Sequence, residues 1–239
     1  MVRTRPRITA VVPAAGTGTR IGGKVPKQFL LLAGKPVLVH TLERFERCAD
    51  VDQVCLAVPP SAVAETESMV SRYRLHKVRT IVAGGAKRQD SVANALRGLT
   101  FGEKDIILVH DAVRPFIEPK SISEVIRAAR EYNAAVVAVQ PKDTVRRANG
   151  SGFFDTTIDR SALWLIQTPQ AFTAPVLLKA FERAAKDRFT STDEAGLVER
   201  LNVNIRIVHG SYDNIKITTP EDLELGLLIL QRWSLKGLG

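Results

Sequence analysis

Residues 8–29, ITAVVPAAGTGTRIGGKVPKQF, decide how the chain begins: an apolar run leads into a loop rich in glycine and cationic side chains. The run Ile8–Val12 is typical of a buried strand, and glycines after a strand let backbone approach a ligand closely. In open α/β sheets, ligands bind beyond the carboxyl ends of the parallel strands. The stretch therefore predicts an α/β fold whose first loop holds a phosphorylated ligand.

Two familiar phosphate-binding loops nearly fit this stretch, and each fails at one position. A dinucleotide loop, G-x-G-x-x-G, would need glycine where Ile21 stands. A P-loop would need a hydroxyl where Val25 stands, and the proline after it donates no N–H. What remains is a glycine-rich turn followed by the cations Arg20, Lys24 and Lys27, which can bind phosphate oxygens.

Short apolar runs then alternate with helical patterns along the chain. This rhythm predicts one domain, 1–239, of the α/β class: a Rossmann-like, mostly parallel twisted sheet with helices on both faces. We expect Ser61, then Thr192 or Asp193, and Thr219 to cap helices. The predicted strands are 53–58, 78–82, 105–109, 134–139, 164–167 and 205–208, and the predicted helices are 36–48, 89–99, 121–131, 175–186 and 192–201.

The alternation of strand and helix patterns is interrupted at residues 141–163. A polar, turn-rich centre at 148–152 separates two short β-prone pieces there. This pattern predicts a β-hairpin arm that leaves the main sheet. Because so polar a hairpin has little core of its own, we expect it to pack against another surface, and a second subunit is one candidate.

Composition narrows the class of partner. The 239 residues carry a formal net charge of +9, which suits nucleotides or phosphorylated metabolites. The cations are dispersed and aromatic residues make up 6%, so we expect no nucleic-acid partner, although a non-catalytic nucleotide or nucleic-acid binder stays an alternative. Cys48 and Cys55 predict no disulfide framework, and no apolar run reaches the roughly 18 residues of a membrane span. We therefore expect a cytoplasmic protein without membrane contact.

Two further loops follow predicted strands. GGAKRQDS, residues 84–91, again places glycines between a strand and a helix. VHDAVRP, residues 109–115, places Asp111 after an apolar strand, where a metal-binding or ribose-binding carboxylate is expected. A cap, or an ion pair with Arg114, would explain Asp111 equally well. We expect His110 to pack beneath the loop rather than act as a base.

These loops, taken together with later segments, resemble one enzyme family. The chain is similar nearly end to end to the 2-C-methyl-D-erythritol 4-phosphate cytidylyltransferases. The segments that carry the resemblance are Pro13–Arg20 with Pro26–Gln28, Gly84–Val92, Val109–Pro115, Asp143–Thr144, Asp159–Arg160, Thr168–Gln170, Thr192–Ala195 and Asn214–Thr218.

The resemblance implies that CTP and 2-C-methyl-D-erythritol 4-phosphate react in the presence of Mg²⁺ to give the CDP-alcohol and pyrophosphate. Ribitol 5-phosphate is the alternative acceptor, since related enzymes share most of these motifs. Arg20 and Lys27 match the family's catalytic pair. Residues that match its nucleotide contacts are Ala14, Ala15, Gly16, Gly85, Ser91, Asp111 and Ala112, with Asp111 also on the metal side.

The resemblance also implies how the acceptor is bound. Thr144 and Arg160 match residues on an arm that reaches the neighbouring subunit's site, which predicts a homodimer through 141–163. The sequence departs from the family at Ala86, where many members carry an acid. The remaining matches to the sugar-phosphate pocket are Arg114, Thr168, Thr192 and Lys216.

Overall fold

The computed structural model describes residues 5–16 and 26–237 and builds them around a seven-stranded sheet. The strands are β1 (Ile8–Pro13), β2 (Leu31–Leu32), β3 (Lys35–Pro36), β4 (Gln53–Val58), β5 (Val78–Ala83), β6 (Ile106–Val109), β7 (Ala134–Val139), β8 (Val145–Ala148), β9 (Phe154–Ile158), β10 (Leu165–Thr173) and β11 (Arg206–His209). The helices are α1 (Val37–Arg47), α2 (Val63–Arg72), α3 (Arg88–Arg97), α4 (Pro119–Tyr132), α5 (Ala174–Lys186), α6 (Ala195–Glu199) and α7 (Pro220–Leu235).

The central sheet is mostly parallel, which confirms the predicted fold class. Its strand order is β11-β7-β10-β6-β1-β4-β5, and β10 runs antiparallel to its neighbours β6 and β7. The other neighbouring pairs are parallel. The carboxyl ends of β1, β5 and β6 therefore meet at one edge of the sheet, and each leads into one of the three loops that the sequence marked.

Helices cover both faces of this sheet. Ala10 and Val12 of β1 face a core that α1, α2 and α4 complete, whereas Val11 faces a second core completed by α3 and α5. Successive side chains of a strand point to opposite faces, so a strand covered on both sides needs apolar residues at every position. This requirement explains why Ile8–Val12 is almost entirely apolar; its one polar residue, Thr9, is buried and accepts a hydrogen bond from the Gln53 side chain.

The predicted cap at Ser61 is wrong. Ser61 lies inside a short 3-10 turn, Pro60–Ala62, and α2 begins after it with Ala62 at the N-cap. Proline, whose φ is fixed near −65°, suits the first position of a helical turn, so Pro60 starts the turn before Ser61 can cap it.

The helix predicted at 192–201 is shorter and begins later, at Ala195, with Glu194 at its N-cap. Neither Thr192 nor Asp193 occupies the cap position. The carboxylate of Asp193 accepts hydrogen bonds from the Gly196 N–H at 3.0 Å and from the side-chain amide of Gln170 at 2.7 Å. The tertiary bond to Gln170 thus joins Asp193 to β10.

Strand β10 extends well beyond the predicted 164–167. Its pairing with β7 shifts between Ile166 and Gln170, and Pro169 lies within that irregularity. Proline is tolerated in a sheet where the ladder is interrupted, since no N–H is needed there. The interrupted pairing lets one strand run through Pro169 into the buried residues after it.

The predicted hairpin arm is confirmed as a separate two-stranded sheet, β8 with β9, outside the central sheet. The side chain of Asn149 organises its turn by accepting the N–H groups of Ser151 and Phe153 at 3.0 and 3.1 Å. Phe153 and Phe154 are each 72% exposed. The arm therefore presents two large aromatic side chains away from the core.

Candidate active site

A cavity of about 360 Å³ opens where β1, β5 and β6 end. Nine predicted site residues line it together: Ala14, Ala15, Gly16, Lys27, Gly85, Ser91, Asp111, Ala112 and Lys216. The lining also includes Pro13, Gln28, Ala86, Lys87, Arg88 and Val113. One wall is thus built of small residues that leave backbone accessible, and cationic side chains stand around it. The predicted catalytic cation Arg20 and its neighbour Lys24 lie outside the described residues.

Gln28 ties the first loop to the turn that carries Lys27. Its side-chain amide donates to the carbonyl oxygens of Ala14 at 2.6 Å and Gly16 at 3.2 Å, and its side chain is buried. Because Lys27 and Gln28 share one short helical turn, Lys27–Phe29, this pair of bonds holds Lys27 at the cavity. In the sequence, Gln28 stands out only as part of a motif. No local pattern shows that its side-chain amide reaches back across the loop.

The second loop packs directly on the first. A Cβ added at Gly84 would lie 2.2 Å from the Cβ of Ala15, so glycine is required there for the two loops to meet. The hydroxyl of Ser91 accepts the Gly85 N–H and donates to the Lys87 carbonyl, both at 3.1 Å. Gly85 and Ser91, predicted as nucleotide contacts, are therefore joined by a hydrogen bond at the start of α3.

Asp111 sits among three cations at the end of β6. Its carboxylate lies 3.1 Å from Arg88 Nε, 3.3 Å from Arg114 Nε and 3.0 Å from Lys216 Nζ. Burial acts to raise the pKa of Asp111, but the charges of Arg88, Lys216 and Arg114 outweigh it and hold that pKa well below its usual range. Asp111 is therefore ionised, and it aligns three cations at the cavity.

Arg88 is a residue whose role the sequence did not reveal. Its Nη1 contacts both carboxylate oxygens of Glu194, at 2.7 and 2.9 Å, while its Nε contacts Asp111. Burial raises the pKa of Glu194, against the opposing charge of Arg88. Arg88 thus links the start of α3, the end of β6 and the start of α6. It appeared in the sequence only as a motif position, since its two partners lie 23 and 106 residues away.

A buried polar network supports Asp111 from below. The hydroxyl of Thr168 accepts the Asp111 N–H and lies 3.0 Å from His110 Nδ1. His110 packs against the ring of Phe45 at 5.0 Å, and burial lowers its pKa to about 4, so it lies neutral beneath the loop as predicted. Asn214, a buried residue that the sequence named only as the start of a motif, donates to the Thr168 carbonyl at 2.9 Å.

Arg114 lies at the edge of this site and joins it to the loop that carries Lys216. Its Nη1 donates to the Asn214 carbonyl at 2.8 Å, two residues before Lys216, and its Nε contacts Asp111. The Ile217 N–H donates to the Val113 carbonyl at 2.9 Å. These bonds bring Arg114 and Lys216, predicted for the same pocket, to one carboxylate.

Three predicted substrate contacts lie apart from the cavity in this single chain. Thr192 lines a different groove, between β11 and the start of α6. Thr144 and Arg160 lie exposed at the base of the arm, where the Arg160 guanidinium donates to the Lys142 carbonyl. Their predicted roles at a neighbouring subunit's site stay predictions.

The predicted magnesium ligand, Asp111, is the one carboxylate among the described residues that line the cavity. Within 5–16 and 26–237, no group of three or more His, Cys, Asp or Glu side chains is arranged to hold a metal ion. Magnesium at nucleotide sites commonly takes one or two carboxylates and completes its shell with phosphates and water. The donor set therefore fits an ion that arrives bound to a nucleotide.

No helix in the described part of the chain is long and apolar enough to cross a membrane.

Comparisons with known proteins agree on one family. The family model described as 2-C-methyl-D-erythritol 4-phosphate cytidylyltransferase matches residues 8–232. Curated proteins of that name from Syntrophus aciditrophicus (44% identical, covering 95% of this chain and 97% of the relative) and Geobacter metallireducens (48%, 91% and 95%) are similar to it.

Solved structures agree with this match. The 4-diphosphocytidyl-2C-methyl-D-erythritol synthase of Anaerococcus prevotii has a TM-score of 0.83 at 31% identity, covering 95% of this chain and 97% of the other. The cytidylyltransferase of Thermus thermophilus has a TM-score of 0.76 at 30% identity, covering 94% and 99%. The chain belongs to the 2-C-methyl-D-erythritol 4-phosphate cytidylyltransferase family of nucleotidyltransferases.

Proposed function

We propose that the protein transfers the cytidylyl group of CTP to 2-C-methyl-D-erythritol 4-phosphate at the cavity beyond β1, β5 and β6. A phosphate oxygen of the acceptor attacks the α-phosphorus, the bond from that phosphorus to the bridging oxygen breaks, and pyrophosphate leaves with the electron pair. Two anions must meet, so positioning and positive charge are the main requirements. One observation carries the proposal: the same cavity is lined on one side by small residues and on the other by cationic side chains.

We assign the nucleotide to the small-residue wall. Ala14, Ala15 and Gly16 leave the backbone after β1 accessible, and Gly85 with Ser91 forms the facing loop. Base and ribose can then be bound by backbone groups at close range. Ala86 lines the cavity but offers no side-chain hydrogen bond, so any contact there falls to the backbone.

We assign Lys27 and Arg20 to the charge that builds on the α-phosphoryl oxygens. Preorganised cations at that point stabilise the transition state more than the ground state. Lys27 lines the cavity on a turn that Gln28 anchors. The assignment of Arg20 follows from the family motif.

We assign the acceptor to the side of the cavity beside Asp111, which holds Lys216 and Arg114 within 3.3 Å. The acceptor phosphate can replace the Asp111 carboxylate in some of its contacts with Lys216 and Arg114. Thr192, and the arm residues Thr144 and Arg160 from a neighbouring subunit, complete this proposal. Thr168, whose hydroxyl accepts the Asp111 N–H beneath this side of the cavity, belongs to the same proposed pocket.

Divalent magnesium belongs to the proposal because the family's reaction uses it with CTP. Asp111 is the described cavity residue that would hold such an ion, together with the phosphates of the nucleotide. Bound there, magnesium would neutralise triphosphate charge. The roles proposed for the protein's own residues, which are to bind and orient the two substrates, do not depend on which phosphate oxygens would contact the ion.

We also propose a homodimer in which the arm 141–163 of each subunit contacts the other. The two exposed phenylalanines, Phe153 and Phe154, support this idea, since large exposed aromatic side chains favour interfaces. A cytoplasmic location and the lack of a nucleic-acid partner remain predictions from the sequence.

The decisive experiment measures pyrophosphate release from each of CTP, UTP, ATP and GTP with each of two acceptors. We expect turnover with CTP and 2-C-methyl-D-erythritol 4-phosphate. Turnover only with ribitol 5-phosphate would replace the acceptor. Tight, strongly salt-dependent RNA binding without any pyrophosphate release would favour the non-catalytic alternative.

A further inference from the structure

We propose that Gln89 is a positioning residue for the transfer: its side-chain amide holds the backbone at 189–191, so that Thr192 is presented to the acceptor. The inference rests on the proposed function, because Thr192 is assigned to the acceptor there. Gln89 Nε2 donates to the Phe189 carbonyl at 3.1 Å, and Gln89 Oε1 accepts the Ser191 N–H at 3.0 Å. One side chain at the start of α3 therefore fixes the backbone immediately before Thr192.

The segment that Gln89 holds lies between α5 and α6 and has no ladder or helical bonds of its own. Residues 189–194 belong to no helix or strand, so their backbone groups need partners from elsewhere in the molecule. A side-chain amide offers one acceptor oxygen and one donor nitrogen, and here each faces the complementary backbone group. The reverse orientation of the Gln89 amide would set donor against donor and acceptor against acceptor.

A second anchor lies on the other side of Thr192. Arg88, the neighbour of Gln89, contacts both carboxylate oxygens of Glu194 through its Nη1, at 2.7 and 2.9 Å. Thr192 thus lies between the bonds of Gln89 before it and this ion pair after it. Gln89 itself is absent from the described residues that line the cavity; it lines a groove between α3 and α5. Gln89 therefore acts on the reaction through the segment and not by touching a substrate.

The nucleotide loop is held by bonds that do not involve the Gln89 side chain. The Ser91 hydroxyl accepts the Gly85 N–H and donates to the Lys87 carbonyl, both at 3.1 Å. The Asp90 carboxylate accepts the Lys87 N–H at 3.0 Å. Removing the Gln89 amide should therefore leave the nucleotide side of the cavity in place and loosen the acceptor side alone.

The test compares Gln89→Met and Gln89→Glu in steady-state assays with CTP and the acceptor varied in turn. Methionine keeps a side chain of similar length but loses both hydrogen bonds, so we expect the acceptor KM to rise about tenfold and the CTP KM to change less than about twofold. Glutamate keeps an oxygen for the Ser191 N–H and loses the donor to Phe189, so its acceptor KM should lie between. An unchanged acceptor KM in Gln89→Met, or an equal rise in the CTP KM, would overturn the proposal.

The double variant Gln89→Met/Thr192→Ala tests whether Gln89 acts through Thr192. We expect its acceptor KM to lie within about twofold of that of Thr192→Ala, since the two changes remove one contact. Effects that multiply would overturn the proposed route.

Arg97→Ala is the matched control on the same helix. Arg97 is exposed, lines the same groove and bonds to Asn94 within α3 at 2.7 Å, so its loss should leave both KM values unchanged. A tenfold rise in the acceptor KM of Arg97→Ala would assign the effect to the groove as a whole and overturn the role of Gln89.

Amide hydrogen exchange of Ser191 provides a readout that needs no substrate. We expect fast exchange at this amide in Gln89→Met and protection close to the wild type in Gln89→Glu. Unchanged protection in Gln89→Met would contradict the hydrogen bond on which the inference stands. Absence of pyrophosphate release in the wild type would overturn the proposed function instead, and the exchange data would still decide whether Gln89 holds the segment.

Discussion

At the scale of single residues, Lys27 is the cation on which the proposed chemistry depends most directly. We expect Lys27→Ala to lower kcat about 10²–10³-fold, because a preorganised charge that meets the transition state contributes about that much. The measurement is pyrophosphate release at saturating CTP and acceptor. Lys24→Ala is the matched control, three residues earlier: the family resemblance gives Lys24 no role, so this variant should keep the wild-type rate. Equal losses in both variants would indicate a loop-wide effect and not a specific contact.

His110 makes a second prediction at this scale, on the pH dependence of stability. Burial lowers its pKa to about 4 from the ordinary value of about 6.5. Between those pH values the unfolded chain binds more protons, so the free energy of unfolding should rise with pH by roughly 3 kcal/mol from this group. The stability is present above pH 6.5 and is lost as pH falls toward 4.

The check is urea unfolding across pH 4–7 in the wild type and two variants. His110→Phe should flatten the rise, whereas His76→Gln, which alters an exposed histidine, should keep it. Comparing slopes removes any constant loss of stability that His110→Phe causes. A variant His110→Phe with the wild-type slope would show that His110 is not the group that titrates.

At the scale of elements, α7 tests how local sequence sets a helix end. The Thr219 hydroxyl accepts the Asp222 N–H, and the Asp222 carboxylate accepts the Thr219 N–H, forming a capping box. We expect Thr219→Ala to lower the free energy of unfolding by about 1 kcal/mol. Ser234→Ala, at an exposed position of the same helix, should change it by less than about 0.5 kcal/mol. Equal effects in a urea titration would argue against the cap.

The same helix shows how an element remote from the cavity supports it. Trp233 and Arg232 of α7 donate to the carboxylate of Asp213, at 3.1 and 2.7 Å, and Asp213 begins the segment that ends at Lys216. Trp233 also packs edge-on against Phe116, at 5.7 Å. The C-terminal helix thus anchors the loop that brings a cation to Asp111.

At the scale of the whole molecule, the proposed exchange of arms can be tested by mixing two inactive variants. If Arg160 serves the neighbouring site, a dimer of one Lys27→Ala copy and one Arg160→Ala copy has one site with both defects and one intact site. After subunit exchange at equal amounts, about a quarter of wild-type activity should return, since half the dimers are mixed. No recovery in a mixture shown to exchange subunits would refute the shared site.

By itself, the sequence determined the α/β class, the order of the elements and the three loops that line the cavity. Those features follow from local causes: apolar runs long enough for strands buried on both faces, glycines after strands, and the Thr219 cap. Predictions from the local sequence were wrong where a contact with a residue distant in the chain sets the local structure. Asp193 lies beside β10 because it accepts a hydrogen bond from Gln170, and β10 continues through Pro169 because its pairing with β7 is interrupted there.

Only the tertiary structure decided which side chains share one charge environment. Arg88 and Glu194 pair across 106 residues, Lys216 reaches Asp111, and the Thr168 hydroxyl contacts His110 and the Asp111 backbone. No periodicity along the chain encodes such pairs, because their distances arise when the ends of parallel strands meet at one edge of the sheet. The residue types at the cavity were therefore readable from the sequence, whereas the division between side chains that face the ligand and those that hold them in place required the fold.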